Sequence, residues 1–354
     1  MDCKEKVLEF RNAFNLRYDI AIVCTGSTPR RIKLPKTLDL ANVYYLRSAD
    51  DARHIEHAST PESNAVIIGG SFVALEVASC LSLQCRSVTV VVRSSYPFRF
   101  LGPQVGIALQ RLHESRGVRF VTNAEAMHFE EFNGQVRNVI LRDGSKLPAD
   151  IVIVGIGAVP CTKFITGVER GTDGSLSVDK QMRVRGMVDL YAAGDVCVFP
   201  SVITVPVRVE HWKCALQQGK TAAHSIMGEA KDFEIGHIFW SVQYGRNLRF
   251  AGPGVYEYDA VFFDGKPDSL KFIAYYIHKN KIVALLSCAK DPVASAASEL
   301  FKSGLMPSWE RQFAINPSAA TNKILERFQI VGTICDDNAP PDYSLFKVSL
   351  CSCC

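Results

Sequence analysis

The residues best suited to chemistry in this 354-residue chain form a glycine-rich turn, Gly69–Ala74, between a short apolar run and a helical segment. The letters GGSFVA fit a G-x-S-x-x-A variant of the fingerprint that binds a dinucleotide pyrophosphate. Gly69 would make the tight turn, with Gly70 beside it, and Ala74 would allow close helix–strand packing. Ser71 replaces the glycine that lets the backbone approach the phosphates. We expect the pyrophosphate at the helix N-terminus, with Ser71 crowding its approach.

The end of the next strand indicates which coenzyme this turn favours. An acidic residue there would bind the ribose 2′-hydroxyl of NAD, whereas an arginine would accept the 2′-phosphate of NADP. Residues 91–95 read VVRSS, which places Arg93 at this point and no carboxylate. The pattern favours NADP over NAD, and an arginine that merely caps an exposed strand end is the alternative.

A second candidate site is Asp195, which follows Gly194 at the end of the apolar segment 190–193. A carboxylate just after a glycine turn can accept hydrogen bonds from sugar-like hydroxyls, while the glycine lets the chain pass close by. An ordinary Asp turn is the alternative. Downstream, His211 and Trp212 begin a helical segment that is a candidate for closing over a ring system.

Two segments of the chain repeat one pattern, and this repeat indicates how the elements are organised. Residues 19–29 read DIAIVCTGSTP, and residues 150–160 read DIVIVGIGAVP. Each has an acidic residue and an apolar run typical of a strand buried in a parallel sheet, then Gly and Pro at matching offsets. Such a turn lies at a strand's carboxyl end, where open α/β sheets bind ligands. Two unrelated core strands with generic turns are the alternative.

The glycine-rich start of a nucleotide-binding unit occurs once, whereas its strand-and-turn ending occurs twice. This imbalance predicts an α/β fold with two interleaved Rossmann-like domains, followed by an α+β domain of antiparallel strands and a packing helix. The missing start is expected to lie before residue 1. The expected divisions are 1–60 and 149–228 for the outer domain, 61–148 for the inner domain, 229–310 for the α+β domain, and 311–354 for a disordered tail that ends in Cys351-Ser352-Cys353-Cys354.

The composition of the chain is that of an ordinary globular protein. Hydrophobic residues make up 47% and charged residues 21%, which excludes a disordered chain. The net charge of +4 is too small for a dedicated nucleic-acid or membrane-surface protein. The longest apolar stretch, 65–83, is interrupted by glycines and carries Glu76, so we expect no transmembrane segment. The cysteines lie mostly singly in apolar runs, and no secretory signal or presequence is recognised; we therefore expect a reducing, cytoplasmic location.

In this order, the motifs resemble those of the FAD-dependent pyridine nucleotide-disulphide oxidoreductases of the ferredoxin reductase type, most closely their apoptosis-inducing-factor-like branch. The resemblance covers about residues 4–310 of the chain. The motifs that carry it are 69–76, 96–102, 151–160, 191–195, 210–212 and Phe239-Trp240-Ser241.

The resemblance implies an FAD-dependent NAD(P)H oxidoreductase that passes electrons through the flavin to a small carrier or a quinone-like acceptor. No side chain is expected to act as a nucleophile, because the flavin carries the chemistry. The outer domain would bind FAD and the inner domain NAD(P)H. The residues implied for FAD are Thr25, Gly26, Pro29, Gly194, Asp195, His211, Trp212 and Trp240. Those implied for the nicotinamide nucleotide are Gly69, Gly70, Ser71, Glu76, Arg93, Gly155 and Gly157.

Departures from the family's pattern predict impaired FAD binding. The fingerprint for the ADP half of FAD and the basic residue that normally accompanies the flavin are not recognised, and no iron–sulfur ligand spacing occurs. A non-catalytic nucleotide-binding or interaction protein that retains the fold is therefore the alternative function. The resemblance also implies homodimer contacts through the C-terminal domain, and it makes mitochondrial association an alternative to the cytoplasm. We expect no bound metal and no nucleic-acid partner.

Overall fold

The structure is a computed structural model, and it describes residues 1–11, 14–35, 40–201, 206–229, 231–234, 236, 238–252 and 258–335. The strands are β1 (Val7–Glu9), β2 (Asn15–Arg17), β3 (Ala21–Val23), β4 (Ser27–Pro29), β5 (Val43–Tyr44), β6 (Asn64–Ile68), β7 (Ser87–Val91), β8 (Val118–Val121), β9 (Ala126–Phe132), β10 (Gln135–Leu141), β11 (Lys146–Pro148), β12 (Ile151–Val154), β13 (Ala158–Pro160), β14 (Leu176–Ser177), β15 (Leu190–Ala192), β16 (Cys197–Val198), β17 (Ile238–Gln243), β18 (Arg246–Ala251), β19 (Ala260–Lys266), β20 (Lys271–His278) and β21 (Lys281–Cys288). The helices are α1 (Ala49–Ala58), α2 (Phe72–Leu81), α3 (Pro103–Glu114), α4 (Trp212–Ile226), α5 (Val293–Lys302), α6 (Arg311–Ile315) and α7 (Pro317–Cys335).

The inner domain is built on a five-stranded parallel sheet with the order β5-β12-β6-β7-β8. Its central strands are continuous apolar runs because both faces of the sheet are covered. Ile67 and Val90 pack with α2 and α3 on one face. On the other face, Val66 and Val91 pack against the antiparallel strands β9 and β10. The expected strand–turn–helix–strand unit is therefore formed by β6, α2 and β7.

Two strands of this sheet lie outside the expected inner domain 61–148. β5 comes from the segment 1–60, and β12 from the segment 149–228, yet β12 pairs in parallel with both β5 and β6. All four residues of β12 are buried. The boundaries of the inner domain therefore differ from those expected, because the neighbours of an apolar strand are decided by pairing across the sheet and not by its own sequence.

The two segments of the sequence repeat occupy matching places in the two domains. β3 pairs in parallel with β15 in the outer domain, just as β12 pairs with β6 in the inner domain. The turns that follow β3 and β12 then meet as the antiparallel pair β4–β13. The predicted interleaving of two α/β domains is thus confirmed, and the repeat itself forms the junction between them.

The C-terminal domain is an antiparallel sheet with the order β17-β18-β21-β20-β19. Alternate residues of β20 face opposite sides, as expected for a strand with a period of two. Phe272 and Tyr276 pack towards the inner domain, whereas Ile273 and Tyr275 pack with α5 and α7. The expected α+β domain is therefore observed, and its sheet is held between the inner domain and its own helices.

The segment expected to be a disordered tail begins with two helices, α6 and α7. Phe313, Ala320 and Ile324 are buried in them and pack with Trp309 in one apolar cluster. The Asn, Pro and Asp residues of this segment and its weak periodicity suggested disorder. The helices are stabilised instead by burial against the C-terminal domain, which the local sequence does not show. The cysteines at 351, 353 and 354 lie outside the described residues. None of the described helices has the length and apolar character to cross a membrane.

The turn between β6 and α2 gives a test of this architecture. Gly69 has a φ of 129°, and a Cβ there would lie 2.2 Å from the carbonyl oxygen of Gly155. We expect Gly69→Ala to lower the free energy of unfolding by about 3 kcal/mol through backbone strain and a clash with β12. Urea unfolding, with hydrogen exchange read on peptides covering β6 and β12, measures the change.

Gly144→Ala is the matched control for this variant. Gly144 also has a positive φ, 83°, but nothing lies within 4 Å of a Cβ built there. The control variant therefore introduces backbone strain without a steric clash. We expect it to lower the free energy of unfolding by only about 1–2 kcal/mol. Equal losses in the two variants would show that the contact between Gly69 and Gly155 does not constrain the turn.

Candidate functional site

Asp195 lies at the centre of a polar cluster at the carboxyl ends of β3 and β15. Its side chain is buried, with 9% of the residue exposed. Ser27 Oγ donates a hydrogen bond to Asp195 Oδ2 over 2.8 Å. Arg47 Nη2 donates to the same oxygen over 3.1 Å, and Arg47 Nε donates to the Ser27 carbonyl. The carboxylate is thus held by a hydroxyl and a guanidinium from two distant parts of the chain.

Arg47 is a site residue that was not recognised in the sequence, where the basic residue that normally accompanies the flavin was expected to be missing. The backbone N–H groups of Arg47 and Ser48 both donate to Asp51 Oδ2, which anchors the chain just before α1. Ser48 and Asp51 form a capping box. The signal that could have been found is the S-x-x-D pattern directly after Arg47, because it fixes the helix start and so the position of the residue before it.

Gly194 and Gly26 bring the backbone close to this cluster. Gly194 has a φ of 85°, and its N–H donates to Gln218 Oε1 of α4 over 2.7 Å. Gly26 has a φ of 67°, and a Cβ there would lie 3.6 Å from Arg47 Nη2. Thr25 Oγ1 donates a hydrogen bond to the carbonyl oxygen of Cys161 over 2.6 Å. Of the residues predicted for the outer site, Gly26 and Gly194 therefore lie beside Asp195 and its partner Arg47, whereas Thr25 is bonded to Cys161.

An exposed aromatic cluster lies where α4 meets the C-terminal domain. The His211 ring is 5.4 Å from that of Trp240 and 5.7 Å from that of Trp212. Both tryptophans keep large exposed fractions, 64% for Trp212 and 51% for Trp240. His211 caps α4, and its Nδ1 accepts a hydrogen bond from the Lys213 N–H. Burial and the nearby Lys213 lower the pKa of His211, which favours a neutral imidazole.

The glycine-rich turn of the inner domain packs directly on the end of β12. Ser71 Oγ donates to the Gly155 carbonyl over 3.1 Å and accepts from the Ala74 N–H over 3.3 Å, so that it caps α2. A Cβ on Gly155 would lie 2.9 Å from that of Ala74. The structure thus brings Gly69, Ser71 and Gly155 together, and the Ser71 hydroxyl is used in capping the helix.

The remaining residues predicted for this turn lie around it. Gly70 packs on the end of β7, because a Cβ there would lie 3.0 Å from Val92 Cγ1. Gly157 lies in the junction between the domains, where its carbonyl accepts from the Arg30 N–H over 2.8 Å. Pro29 lies in the same junction, opposite Ala158. Gly157 and Pro29 therefore hold the two sites against each other.

Glu76 of α2 faces the first strand of the C-terminal domain. Its Oε1 accepts a hydrogen bond from Ser241 Oγ over 2.6 Å, next to the exposed Trp240. Burial raises the pKa of Glu76, and the hydrogen bond from Ser241 opposes that rise. The predicted site residue Glu76 is thus a half-buried carboxyl group at the meeting point of two domains.

Arg93 lies apart from these groups, just beyond β7. Its side chain is 78% exposed, and Nη1 is 4.0 Å from Glu125 Oε1. Glu125 also pairs closely with Arg142. A half-buried carboxylate therefore lies between two guanidinium groups, which together carry one positive charge more than it neutralises.

The outer site suits one part of the FAD implied by the resemblance. A buried carboxylate that accepts hydrogen bonds fits the hydroxyls of a ribityl chain, and a half-exposed guanidinium fits a phosphate. The backbone at Gly26 and Gly194 leaves room for a close approach. Within the described residues, the glycine-rich strand–turn–helix that suits a pyrophosphate is the one formed by β6 and α2, which belongs to the inner site.

Comparison with known proteins assigns the family. The family model described as pyridine nucleotide-disulphide oxidoreductase matches residues 1–219. The chain is 32% identical over 309 residues to apoptosis-inducing factor 3 of Mus musculus, covering 86% of this chain and 50% of that protein. It therefore spans about half the length of that relative and of the Homo sapiens protein of the same name.

Two further proteins show a more even coverage. The chain is 30% identical over 279 residues to rubredoxin-NAD(+) reductase of Pseudomonas putida, covering 78% of this chain and 72% of that protein. Putidaredoxin reductase, in its covalent complex with putidaredoxin, shares the fold with a TM-score of 0.84 at 24% identity, covering 93% of this chain and 79% of that one. With the two interleaved domains and the C-terminal sheet described above, these matches show that the chain belongs to the pyridine nucleotide-disulphide oxidoreductase family.

Proposed function

We propose that this chain acts as an FAD-dependent oxidoreductase that takes electrons from NAD(P)H. The observation that carries the proposal is the cluster of Asp195, Ser27 and Arg47 at the carboxyl ends of two parallel strands. Ligands of open α/β sheets bind at such ends. Family membership supports the same reading, because the family is described as acting on a pyridine nucleotide.

The outer site would hold the flavin cofactor by charge and by aromatic contact. Asp195 would accept hydrogen bonds from sugar-like hydroxyls, and Arg47 would face a phosphate while neutralising the carboxylate. Trp240 and the neutral His211 offer aromatic surfaces that would exclude water from a ring system. When bound, FAD would supply hydride and electron transfer that no side chain of this chain provides.

The inner site would bind the nicotinamide nucleotide. Its pyrophosphate would lie at the N-terminus of α2, where free N–H groups and the positive end of the helix dipole attract an anion. The Ser71 hydroxyl is bonded to Gly155 and Ala74, and the backbone φ of Ser71 is −86°, so the conformation at this position does not require a glycine. Glu76 would then face the nicotinamide end of the coenzyme, close to Trp240.

The electrons would pass to a small carrier protein or a quinone-like molecule. This part of the proposal is supported by the names of the similar proteins, which include reductases of rubredoxin and putidaredoxin. We also propose a homodimer formed through the C-terminal domain. A cytoplasmic, reducing location is supported by the described cysteines, none of which is joined in a disulfide, and mitochondrial association is its alternative.

A non-catalytic nucleotide-binding or interaction protein is the second candidate function. It is favoured by the single glycine-rich unit among the described residues, because FAD would lack the pyrophosphate contacts that such a unit provides. Each charge-assisted hydrogen bond of this kind is worth about 1.5–3 kcal/mol. The lack of these contacts is therefore proposed to impair FAD binding without abolishing it, and the spectrum of the protein distinguishes the two functions.

The visible absorption of the purified chain tests the proposed function. With excess FAD and removal of the unbound flavin by rapid filtration, we expect a flavin band that bleaches when NADPH is added without oxygen. Asp195→Ala should lose the retained band, because the buried carboxylate is the acceptor at the outer site. A chain that retains no flavin and oxidises no NADPH would support the non-catalytic function.

The contribution of Arg47 to FAD affinity can be tested by substitution. Arg47→Ala should raise the dissociation constant for FAD about tenfold or more, because it removes a charge-assisted donor from the site. Quenching of flavin fluorescence measures the affinity. Arg53→Ala is the matched control, since it removes the same charge from nearby α1, where Arg53 pairs with Asp50 and not with Asp195. Equal effects of both variants would assign the change to overall charge.

The preference for one nicotinamide coenzyme can be measured in the absence of flavin. We expect 2′,5′-ADP to bind about tenfold more tightly than 5′-AMP in calorimetry, because Arg93 would pair with the 2′-phosphate. Arg93→Ala should abolish the difference, and Glu125→Gln should increase it by removing the competing carboxylate. Arg111→Ala, which breaks an exposed ion pair on α3, is the control. Tighter binding of 5′-AMP would indicate NAD as the coenzyme.

A further inference from the structure

A buried chain of hydrogen bonds joins Glu76 to the far side of the interface between the inner and C-terminal domains. Ser241 Oγ is 2.6 Å from Glu76 Oε1, and Gln243 Nε2 is 3.2 Å from Ser241 Oγ. Gln243 Oε1 is 2.9 Å from His113 Nε2, and His113 Nδ1 is 3.2 Å from the Tyr244 hydroxyl. The chain crosses from α2 to β17 and then to α3, and it ends at Tyr244 in the turn after β17, so its members come from two domains.

The middle of this chain is closed to water. His113 and Gln243 have no exposed surface, and Ser241 is 2% exposed. Buried polar atoms require partners, and each of these three side chains has one hydrogen-bond partner on each side of it along the chain. Phe120 packs its ring at 6.0 Å from that of His113, nearly perpendicular to it. The direction of each hydrogen bond is therefore determined by its neighbours.

A charged Glu76 sets one direction along the whole chain. An ionised carboxylate can only accept, so the Ser241 hydroxyl must donate to Glu76. Ser241 Oγ then accepts from the Gln243 amide nitrogen, which turns Gln243 Oε1 towards His113. That oxygen needs a donor, so His113 carries its proton on Nε2 and accepts at Nδ1 from the Tyr244 hydroxyl, which also lies 3.1 Å from Ser82 Oγ.

We propose that His113 is a positioning residue for Glu76: through its Nε2–H it fixes the Gln243 amide in the orientation that makes Ser241 donate to the carboxylate. In this way a side chain on α3 keeps Glu76 ionised and directed at Ser241. The inference rests on the proposed function only in its last step, the placement of Glu76 at the nicotinamide end of the coenzyme.

The opposite direction is also self-consistent, and it requires a proton on Glu76. The protonated carboxyl then donates to Ser241, and Ser241 donates to Gln243 Oε1 of a flipped amide. The amide nitrogen donates to His113 Nε2, while the proton of His113 lies on Nδ1 and is donated to Tyr244. One proton is taken from solvent by Glu76, and His113 stays neutral in both states, with its proton exchanged between the two ring nitrogens.

The charges around the chain are few. Burial lowers the pKa of His113, which keeps the ring neutral. At the far end, Arg116 lies 5.6 Å from the centroid of the Tyr244 ring, and the Cys80 thiol is close enough to affect the pKa of Tyr244. Among the described residues, Ser241 is the group that hydrogen-bonds the Glu76 side chain. The state of Glu76 is thus set mainly by burial and by this chain.

The first test uses the unmodified full chain labelled with ¹⁵N-histidine. Long-range ¹H–¹⁵N correlation distinguishes the two neutral tautomers, and the His113 signals are assigned by their loss in His113→Gln. At pH 8 we expect the Nε2–H tautomer. The Nδ1–H tautomer or an imidazolium would overturn the proposal, and neither result depends on flavin or coenzyme binding.

The second test follows the carboxyl ¹³C signal of Glu76 against pH, assigned with Glu76→Gln. His113→Leu removes the donor to Gln243, and we expect the titration midpoint of Glu76 to rise by about one pH unit. His113→Gln, whose amide nitrogen can reach the place of Nε2, should restore the midpoint to within about 0.3 units. An unchanged midpoint in His113→Leu would overturn the proposal.

Phe120→Leu controls for a merely structural role of His113. It loosens packing against the imidazole ring but removes no hydrogen bond, so thermal stability should fall while the Glu76 midpoint stays constant. An equal shift in Phe120→Leu and His113→Leu would refute a positioning role. If His113→Leu does not fold, the tautomer of the unmodified chain and the comparison of His113→Gln with Phe120→Leu still decide the question.

Discussion

The pairing of β4 with β13 is the interaction on which the placement of the two sites next to each other depends. It joins the turns that follow two parallel strands, one from each α/β domain, and so brings the carboxyl ends of the two sheets together. Backbone hydrogen bonds extend the pairing on both sides, from Arg30 to Gly157 and from Cys161 to Gly26. Because ligands of such sheets bind at the carboxyl ends of the strands, this junction places a candidate flavin site beside a candidate nucleotide site.

The C-terminal sheet supplies the second constraint. Along β17, Trp240 and Val242 are exposed while Ser241 and Gln243 are buried, as the alternation of a strand requires. The same strand therefore offers an aromatic surface to His211 and hydrogen-bonding groups to α2 and α3. A shift of one residue in its register would exchange these two sets. The hydrogen bonds of Glu76 and His113 to this strand thus help to specify the register that leaves Trp240 beside His211.

Those parts of the site that depend on local sequence were predictable. Three features belong to this group: the turn at Gly69, the repeat that contains Gly26 and Gly157, and the Gly-Asp pair at Asp195. Each consists of neighbouring residues whose types indicate the backbone conformation that the position requires. Strands such as β12 and β20 were also visible as apolar runs. For these elements the pattern and the final position have the same physical cause, which is burial in a sheet or a turn that only glycine allows.

The parts that were missed depend on contacts between distant residues. Arg47 is identified as a site residue only by its contact with Asp195, which lies 148 positions away. The membership of β5 and β12 in the inner sheet follows from the pairing of β12 with β5 on one side and with β6 on the other, and α7 is stabilised by Trp309 and the C-terminal sheet. The role of His113 also depends on distant contacts. From the sequence alone, a histidine on an amphipathic helix cannot be distinguished from an ordinary core or surface residue.

The two sites differ in how their charges are held, and this difference bears on function. At the inner site, the turn is held by groups of one domain, since Gly69, Ser71 and Gly155 all lie within the same parallel sheet and its helix. At the outer site, Asp195 is balanced by Arg47, which is anchored by the capping box of α1, and Ser27 comes from the junction itself. The outer site is therefore more sensitive to movement between domains. Nucleotide binding should survive changes at the junction that abolish flavin binding, because only the outer site is assembled across it.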